Sequence, residues 1–162
     1  MTIQVDESLP NITLSIMGEN GPEAVSTTQL LGTGRVVLFG VPGAFTPTCS
    51  ARHLPGFVDH AAAIRSHGIE TLVCMSVNDV FVMDAWGKHV GADGIVMLAD
   101  GNGDFAKSLG LEVDASAFGM GLRCNRFALV AEDGVVQQLF VEAPGEFRVS
   151  SAEHVLANLP PQ

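Results

Sequence analysis

The sequence predicts an α/β fold, a central mixed sheet flanked by helices, and three observations carry that expectation. Short runs rich in Val, Ile and Leu alternate with segments of helical period, Gly and Pro punctuate the joins, and the last third holds two strand-like runs close enough to pair antiparallel. The chain has 162 residues, 47% of them hydrophobic, which suits one domain over residues 1–162 with a substantial core.

Residues 35–41 read as a buried strand ended by Pro42 and Gly43. Between 54 and 65, apolar residues at Leu54, Phe57, Val58, Ala61, Ala62 and Ile64 recur at helical spacing, and Gly68 is the expected C-cap signal. Residues 69–77 form a second buried strand, polar only at Glu70, Thr71 and Ser76. Asn78 and Asp79 offer a helix start, and residues 80–90 continue with helical spacing. A short strand at 95–98 and a turn at 100–103 follow. Residues 127–130 and 135–141 flank the turn 131–134 as a β-hairpin, and Ser150 or Ser151 opens a last helix that reaches 159. Parallel first strands followed by a terminal hairpin and helix are the order of a thioredoxin-like fold.

Charge narrows the function classes. Eighteen acidic residues against eight Lys and Arg leave a net charge of −10, which repels phosphate backbones and anionic lipid. Neither nucleic-acid nor membrane binding is expected. No apolar run reaches the ~18 residues of a membrane-spanning helix, and residues 1–7 lack the pattern of a secretory signal. Three cysteines, an odd number spread along the chain, make no disulfide framework, so a reducing cytoplasm is the expected compartment. His60, His67, His89 and His154 show no ligand spacing with the cysteines, so neither a metal nor another cofactor is expected. Gly101 and Gly103 make no phosphate loop, because no Lys-Ser/Thr follows them.

The strand ending at Val41 leads through Pro42, Gly43 and Pro47 into a helix, with Thr46 or Thr48 as N-cap and Cys49 in the first turn. Unpaired N–H groups and the helix dipole favour an anion there, and the thiolate is the nucleophilic form of cysteine. Thr46 reaches the same space with a hydroxyl that can donate to an incoming oxygen or accept a peroxide proton. A cysteine at a helix start also serves elsewhere as a small buried hydrophobe. The strand–Pro–Gly–helix context favours the reactive reading.

The run FGVPGAFTPTCS at residues 39–50, followed by HLPGF at 53–57, resembles the active-site segment of peroxiredoxins, with their Pro-x-x-x-Thr-x-x-Cys pattern as Pro42, Thr46 and Cys49. The wording is most similar to the type II (atypical, glutaredoxin-linked) subfamily, which Ser76-Val77-Asn78-Asp79 and Arg123-Cys124-Asn125-Arg126 also resemble. The resemblance implies a thiol-dependent peroxidase acting on hydrogen peroxide and organic hydroperoxides. Cys49 would be the peroxidatic nucleophile. Thr46 and the amides near Thr48 and Cys49 would hold the peroxide oxygens, Arg126 would polarise the peroxide, and Pro42 would shield the sulfur. Arg123 is expected to be supporting or interfacial. The resemblance also implies a homodimer formed through the face bearing the active-site loop.

Recycling is open at this level. The type II subfamily includes an atypical animal enzyme with a resolving cysteine near its C-terminus, and the comparable residues here, 145–151, hold no cysteine. The one-cysteine route is therefore favoured, with glutathione and glutaredoxin, or else thioredoxin, as reductant. An internal Cys49–Cys74 disulfide is the alternative. Cys74 lies in a strand that reads as buried, so joining the two would require the Cys49 helix to unwind. Cys124 is read as incidental. His53 lies four residues after Cys49 on the same helix face; a Cys–His hydrolase is one reading, and a surface or interface histidine the favoured one. A thioredoxin-type oxidoreductase is disfavoured because Cys49-Ser50-Ala51-Arg52 lacks the second cysteine. An added chaperone or relay role stays open.

Overall fold

Side chains along β3 (Arg35–Gly40) and β4 (Ile69–Ser76) alternate between the two faces of one sheet, and both faces are covered. Val37, Phe39, Leu72 and Cys74 enter one core, whereas Val36, Leu38, Val73 and Met75 enter the other. Burial on both sides explains why these strands read as nearly continuous apolar runs. The computed structural model describes residues 1–160. Its main sheet has seven strands in the order β2-β1-β5-β4-β3-β8-β9. Here β1 is Thr13–Gly18, β2 Gly21–Ser26, β5 Val96–Ala99, β8 Phe127–Glu132 and β9 Val135–Val141. Strands β3, β4 and β5 run parallel, while β8 and β9 close one side as an antiparallel hairpin. The mixed sheet flanked by helices is the architecture that the sequence predicts.

The first core is covered by α2 (Leu54–Arg65), α3 (Val80–Val90) and α5 (Ala152–Asn158), and Phe57, Ile64, Met83, Trp86 and Val155 fill it. The second takes Leu31 from α1 (Thr27–Leu31) and Phe105, Ala106 and Leu109 from α4 (Asp104–Leu109). Each long helix starts where the sequence places it. Asp79 caps α3 by accepting from the Val82 N–H at 2.8 Å, and Ser151 caps α5 by accepting from His154 at 3.1 Å.

Gly68 departs from expectation. Ser66 is the C-cap of α2, and Gly68, at φ +84°, instead turns the chain into β4. The β1–β2 hairpin, α1, α4 and a small β6–β7 pair (Glu112–Asp114 with Leu122–Cys124) lie outside the predicted elements. They are short, and tertiary contacts hold them. Buried Asp100, for example, caps α4 by accepting from Phe105 and Ala106 at 3.1 and 2.8 Å.

Candidate active site

Where β3 ends, the Val41 N–H donates to Met75 O at 3.1 Å, and the chain then enters loop 42–48. Gly40 has to be glycine: a Cβ there would lie 2.2 Å from the Phe127 ring. The loop is held at several points. The Thr46 hydroxyl donates to Gly43 O at 2.6 Å, and the Ala44 N–H donates to Asn78 Oδ1 at 3.0 Å, an oxygen that also accepts from the Ser76 hydroxyl at 2.6 Å. Between these ties Phe45 sits at φ +63°, a left-handed conformation that costs about 1–2 kcal/mol for a non-glycine residue.

Thr46 N-caps the helix through its carbonyl, which accepts from the Ser50 N–H at 2.9 Å. Pro47 follows at the first helical position, where its missing N–H goes unneeded. Cys49 then begins a π-helical turn, Cys49–His53, that runs on into α2. The sulfur therefore stands in the first turn, as the sequence predicts, and Cys49 is fully buried. The Thr46 hydroxyl has spent its proton on Gly43, so its lone pairs are free to accept from an incoming O–H.

Arg126 reaches the sulfur through sheet pairing. Strand β8 is antiparallel to β3 with Gly40 opposite Phe127, which sets residue 126 beside the start of loop 42–48. Its Nη2 donates to Cys49 Sγ at 3.2 Å and its Nη1 donates to His53 Nδ1 at 2.9 Å. His53 Nε2 lies 2.9 Å from Ser150 O, and since a carbonyl only accepts, Nε2 carries the proton and Nδ1 is the acceptor.

His53 is thus fully buried among the rings of Phe39, Phe57 and Phe147, not at a surface or interface as its sequence context favours. Burial, followed by the adjacent Arg126 charge, lowers its pKa from 6.5 to about 3, so the ring is neutral. The i+4 spacing from Cys49 was the one signal in the sequence that could have found it.

A second residue outside the sequence reading is Glu142. Its backbone N–H donates to Arg126 O at 3.0 Å, and its buried carboxylate gathers the next loop. The N–H groups of Arg148, Val149 and Ser150 and the Ser150 hydroxyl all donate to it, at 2.7–2.9 Å. Burial opposes its ionisation, but the Ser150 hydroxyl and the three N–H groups outweigh that and hold the carboxyl below the usual range. The clamped loop carries Phe147 over the site. Pro42, Thr48, Asn125, Arg126, Glu146 and Phe147 are among the residues lining a cleft there of about 160 Å³.

The remaining residues take supporting or separate places. Arg123 donates to Met120 O at 2.9 Å and to Val77 O at 3.2 Å, bracing the loops beside Gly43. The Trp86 indole N–H donates to Ser50 Oγ at 2.9 Å, tying α3 to the π-helical turn. Cys74 is fully buried in β4, paired with Phe39 on one side and Met97 on the other. Burial, then the neighbouring Cys49 and Cys124, push its thiol well above the ordinary value. Cys124 is also buried and raised, by burial first and then by Asp100 and Glu112. Among the described residues, no three His, Cys, Asp or Glu side chains are grouped to hold a metal ion, and no helix is long and apolar enough to cross a membrane.

The redoxin family model matches residues 4–156. The chain is 45% identical over 159 residues to Peroxiredoxin-2B of Arabidopsis thaliana, covering 97% of this chain and 98% of that protein. It is also 45% identical over 163 residues to the chloroplastic Peroxiredoxin-2E of the same plant, covering 98% of this chain and 70% of the relative. Among solved structures it is similar to reduced Prx3 from Vibrio vulnificus in complex with hydrogen peroxide, with a TM-score of 0.95 and 47% identity over 98% of this chain and all of the other.

Proposed function

Because the chain belongs to the peroxiredoxin family, in its type II branch, and is a thiol peroxidase on that ground, we propose that Cys49 reduces hydrogen peroxide and alkyl hydroperoxides and is recycled by an external thiol. The observation that carries the assignment of roles is the Arg126 Nη2–H···Sγ contact of 3.2 Å beside the free lone pairs of Thr46. The Cys49 thiolate attacks the terminal oxygen of the peroxide. The O–O bond breaks, the sulfur keeps that oxygen as a sulfenic acid, and the leaving oxygen takes up a proton to become water or an alcohol. Thr46 accepts from the terminal O–H and so orients it. Arg126, with the N–H groups of Thr48 and Cys49 left free at a helix start, stabilises charge on the leaving oxygen. Pro42, at the cleft wall, keeps bulk water from the sulfur.

Recycling by a small thiol such as glutathione, with glutaredoxin reducing the mixed disulfide, fits the burial of the other two cysteines. Thioredoxin is the second candidate reductant. Cys74 lies in a central strand and holds its proton, so bringing it to Cys49 would break pairing on both sides. We also place the protein in a reducing compartment, the cytoplasm, which suits three free thiols. A homodimer through the face of loop 42–48 fits the exposed rings of Phe45 and Phe81.

The test is peroxide consumption with glutathione and glutaredoxin, run beside Cys49→Ser. Wild type should consume peroxide and the variant should not; equal inertness of both would end the reading. The mass of the protein after peroxide and glutathione should show one glutathione on Cys49.

A further inference from the structure

In a chain of net charge −10 with only eight Lys and Arg, two arginines stand over one ring and a third follows that ring in sequence. The guanidinium carbon of Arg52 lies 4.7 Å from the Phe147 ring centroid and that of Arg126 5.7 Å from it, while Arg148 is the next residue along. Phe147 in turn lines the cleft that Pro42, Thr48 and Arg126 also line. Two carboxylates stand against these cations: Glu142, committed to the loop N–H groups, and Glu146, 3.8 Å from Arg148. Arg52 is exposed, and among the described residues its guanidinium has neither an ion pair nor a hydrogen bond; it rests on Phe147 alone.

The charge of this cluster changes with the state of the sulfur. While Cys49 is a thiolate, three guanidinia meet two carboxylates and one sulfur anion, and the balance is even. Oxidation to the sulfenic acid removes the sulfur's charge and leaves one cation unmatched. A neutral peroxide thus meets a compensated site, whereas the next reactant meets a positive one. That reactant has to reach the sulfur across a protein whose overall charge repels anions.

We infer that Arg52, on its Phe147 shelf, is a specificity residue for the resolving step, drawing in the carboxylate of a small anionic thiol. The inference rests on the one-cysteine recycling proposed above. The thiolate sulfur bonds to Cys49 Sγ, the S–O bond breaks, and the departing hydroxide takes a proton to leave as water. The sulfenic sulfur is reduced as the thiol is oxidised to the mixed disulfide. A cleft of about 160 Å³ is small beside pockets for drug-sized ligands, so the rest of a peptide-sized thiol lies on the rim where Arg52 stands. Glutathione, with two carboxylates and one ammonium, belongs to this class.

The experiment isolates that step. The full chain is oxidised with one equivalent of hydrogen peroxide and mixed with excess 3-mercaptopropionate, 2-mercaptoethanol or cysteamine. Mixed-disulfide formation on Cys49 is followed by mass, with rates expressed per thiolate. The anionic thiol should react faster than the neutral one by on the order of fivefold at low salt, as expected for unit charges about 4 Å apart across bulk water, and the cationic thiol should be slowest. The difference should shrink as ionic strength rises to ~0.5 M. The net charge alone would give the opposite order. Arg52→Glu should reverse the order, and Lys107→Glu, the same charge change on α4, should preserve it. Rates blind to thiol charge, or an unchanged order in Arg52→Glu, would overturn the inference and leave the recycling reading standing. If no thiol joins Cys49 and an internal disulfide forms instead, both fall.

Discussion

His53 can accept from Arg126 only while it is neutral, because its other nitrogen is committed to the Ser150 carbonyl. A proton on Nδ1 would face the guanidinium and release it from its position against the sulfur. In the unfolded chain this histidine takes up a proton near pH 6.5, and in the folded one only near pH 3. The unfolded state therefore binds more protons in that window. The stabilisation is complete above pH 6.5 and is lost as the pH falls towards 3, by about 1.4 kcal/mol per pH unit. Glu142, held below the ordinary carboxylate value of 4.5, loses its contribution only beneath that value, so it stays out of the span from pH 6.5 to 5. Urea midpoints there should slope for wild type and flatten in His53→Gln; equal slopes would remove His53 as the source. For catalysis, His53→Ala should slow the first oxidation on the order of tenfold, an effect of ~1.4 kcal/mol on the barrier. Gln, which can accept from Arg126 and donate to Ser150, should restore part of that rate in stopped-flow traces.

The hairpin β8–β9 serves the site at its open end, where Arg126 and Glu142 sit opposite each other, joined by a backbone hydrogen bond of 3.0 Å. One element thus fixes the guanidinium and anchors the loop that carries Phe147. Glu142→Gln replaces a buried charged acceptor with a group that brings N–H donors of its own towards N–H donors. It should lower stability by about 2–4 kcal/mol, since hydrogen bonds to charged groups contribute ~1.5–3 kcal/mol and unpaired buried donors add to the loss. Thermal melts would measure it, and hydrogen exchange should show Arg148, Val149 and Ser150 amides losing protection while β3 and β4 keep theirs. Loop 42–48 has its own anchor in Asn78. Without that oxygen, as in Asn78→Ala, Phe45 has less to hold it at φ +63°. Oxidation should slow with little change in the melting temperature, because relief of backbone strain offsets the lost hydrogen bond.

At the scale of the molecule, sheet order decides what meets what. Strand β3 lies between β4 and β8, so the chain leaving β3 finds Ser76 and Asn78 on one side and Arg126 on the other. The same order buries Cys74 between β3 and β5. Cys74→Ser should therefore keep most of its turnover with glutathione and glutaredoxin; complete loss with the fold intact would restore the internal disulfide. Much of this was legible beforehand. The period of 54–65 and 80–90 and the apolar runs at 35–41 and 69–77 are dense local signals, and α2, α3, β3 and β4 appear where they place them. The spacing of Pro42, Thr46 and Cys49 is equally local, because one loop and one helical turn hold all three. Short elements such as α4 and β6 carry too few residues for a period and depend on contacts made elsewhere. The roles of His53, Glu142 and Asn78 belong to that second kind: each acts through a hydrogen bond to a residue 6 or more positions away, and nothing in local sequence records such a partner. By itself the sequence determined α2, α3, β3, β4 and the loop that presents Cys49, since these follow from neighbours along the chain. Tertiary structure alone decided that Arg126 meets Cys49, that His53 holds Arg126, and that Cys74 stays apart, because antiparallel and parallel pairing bring distant residues into register only once the sheet is assembled.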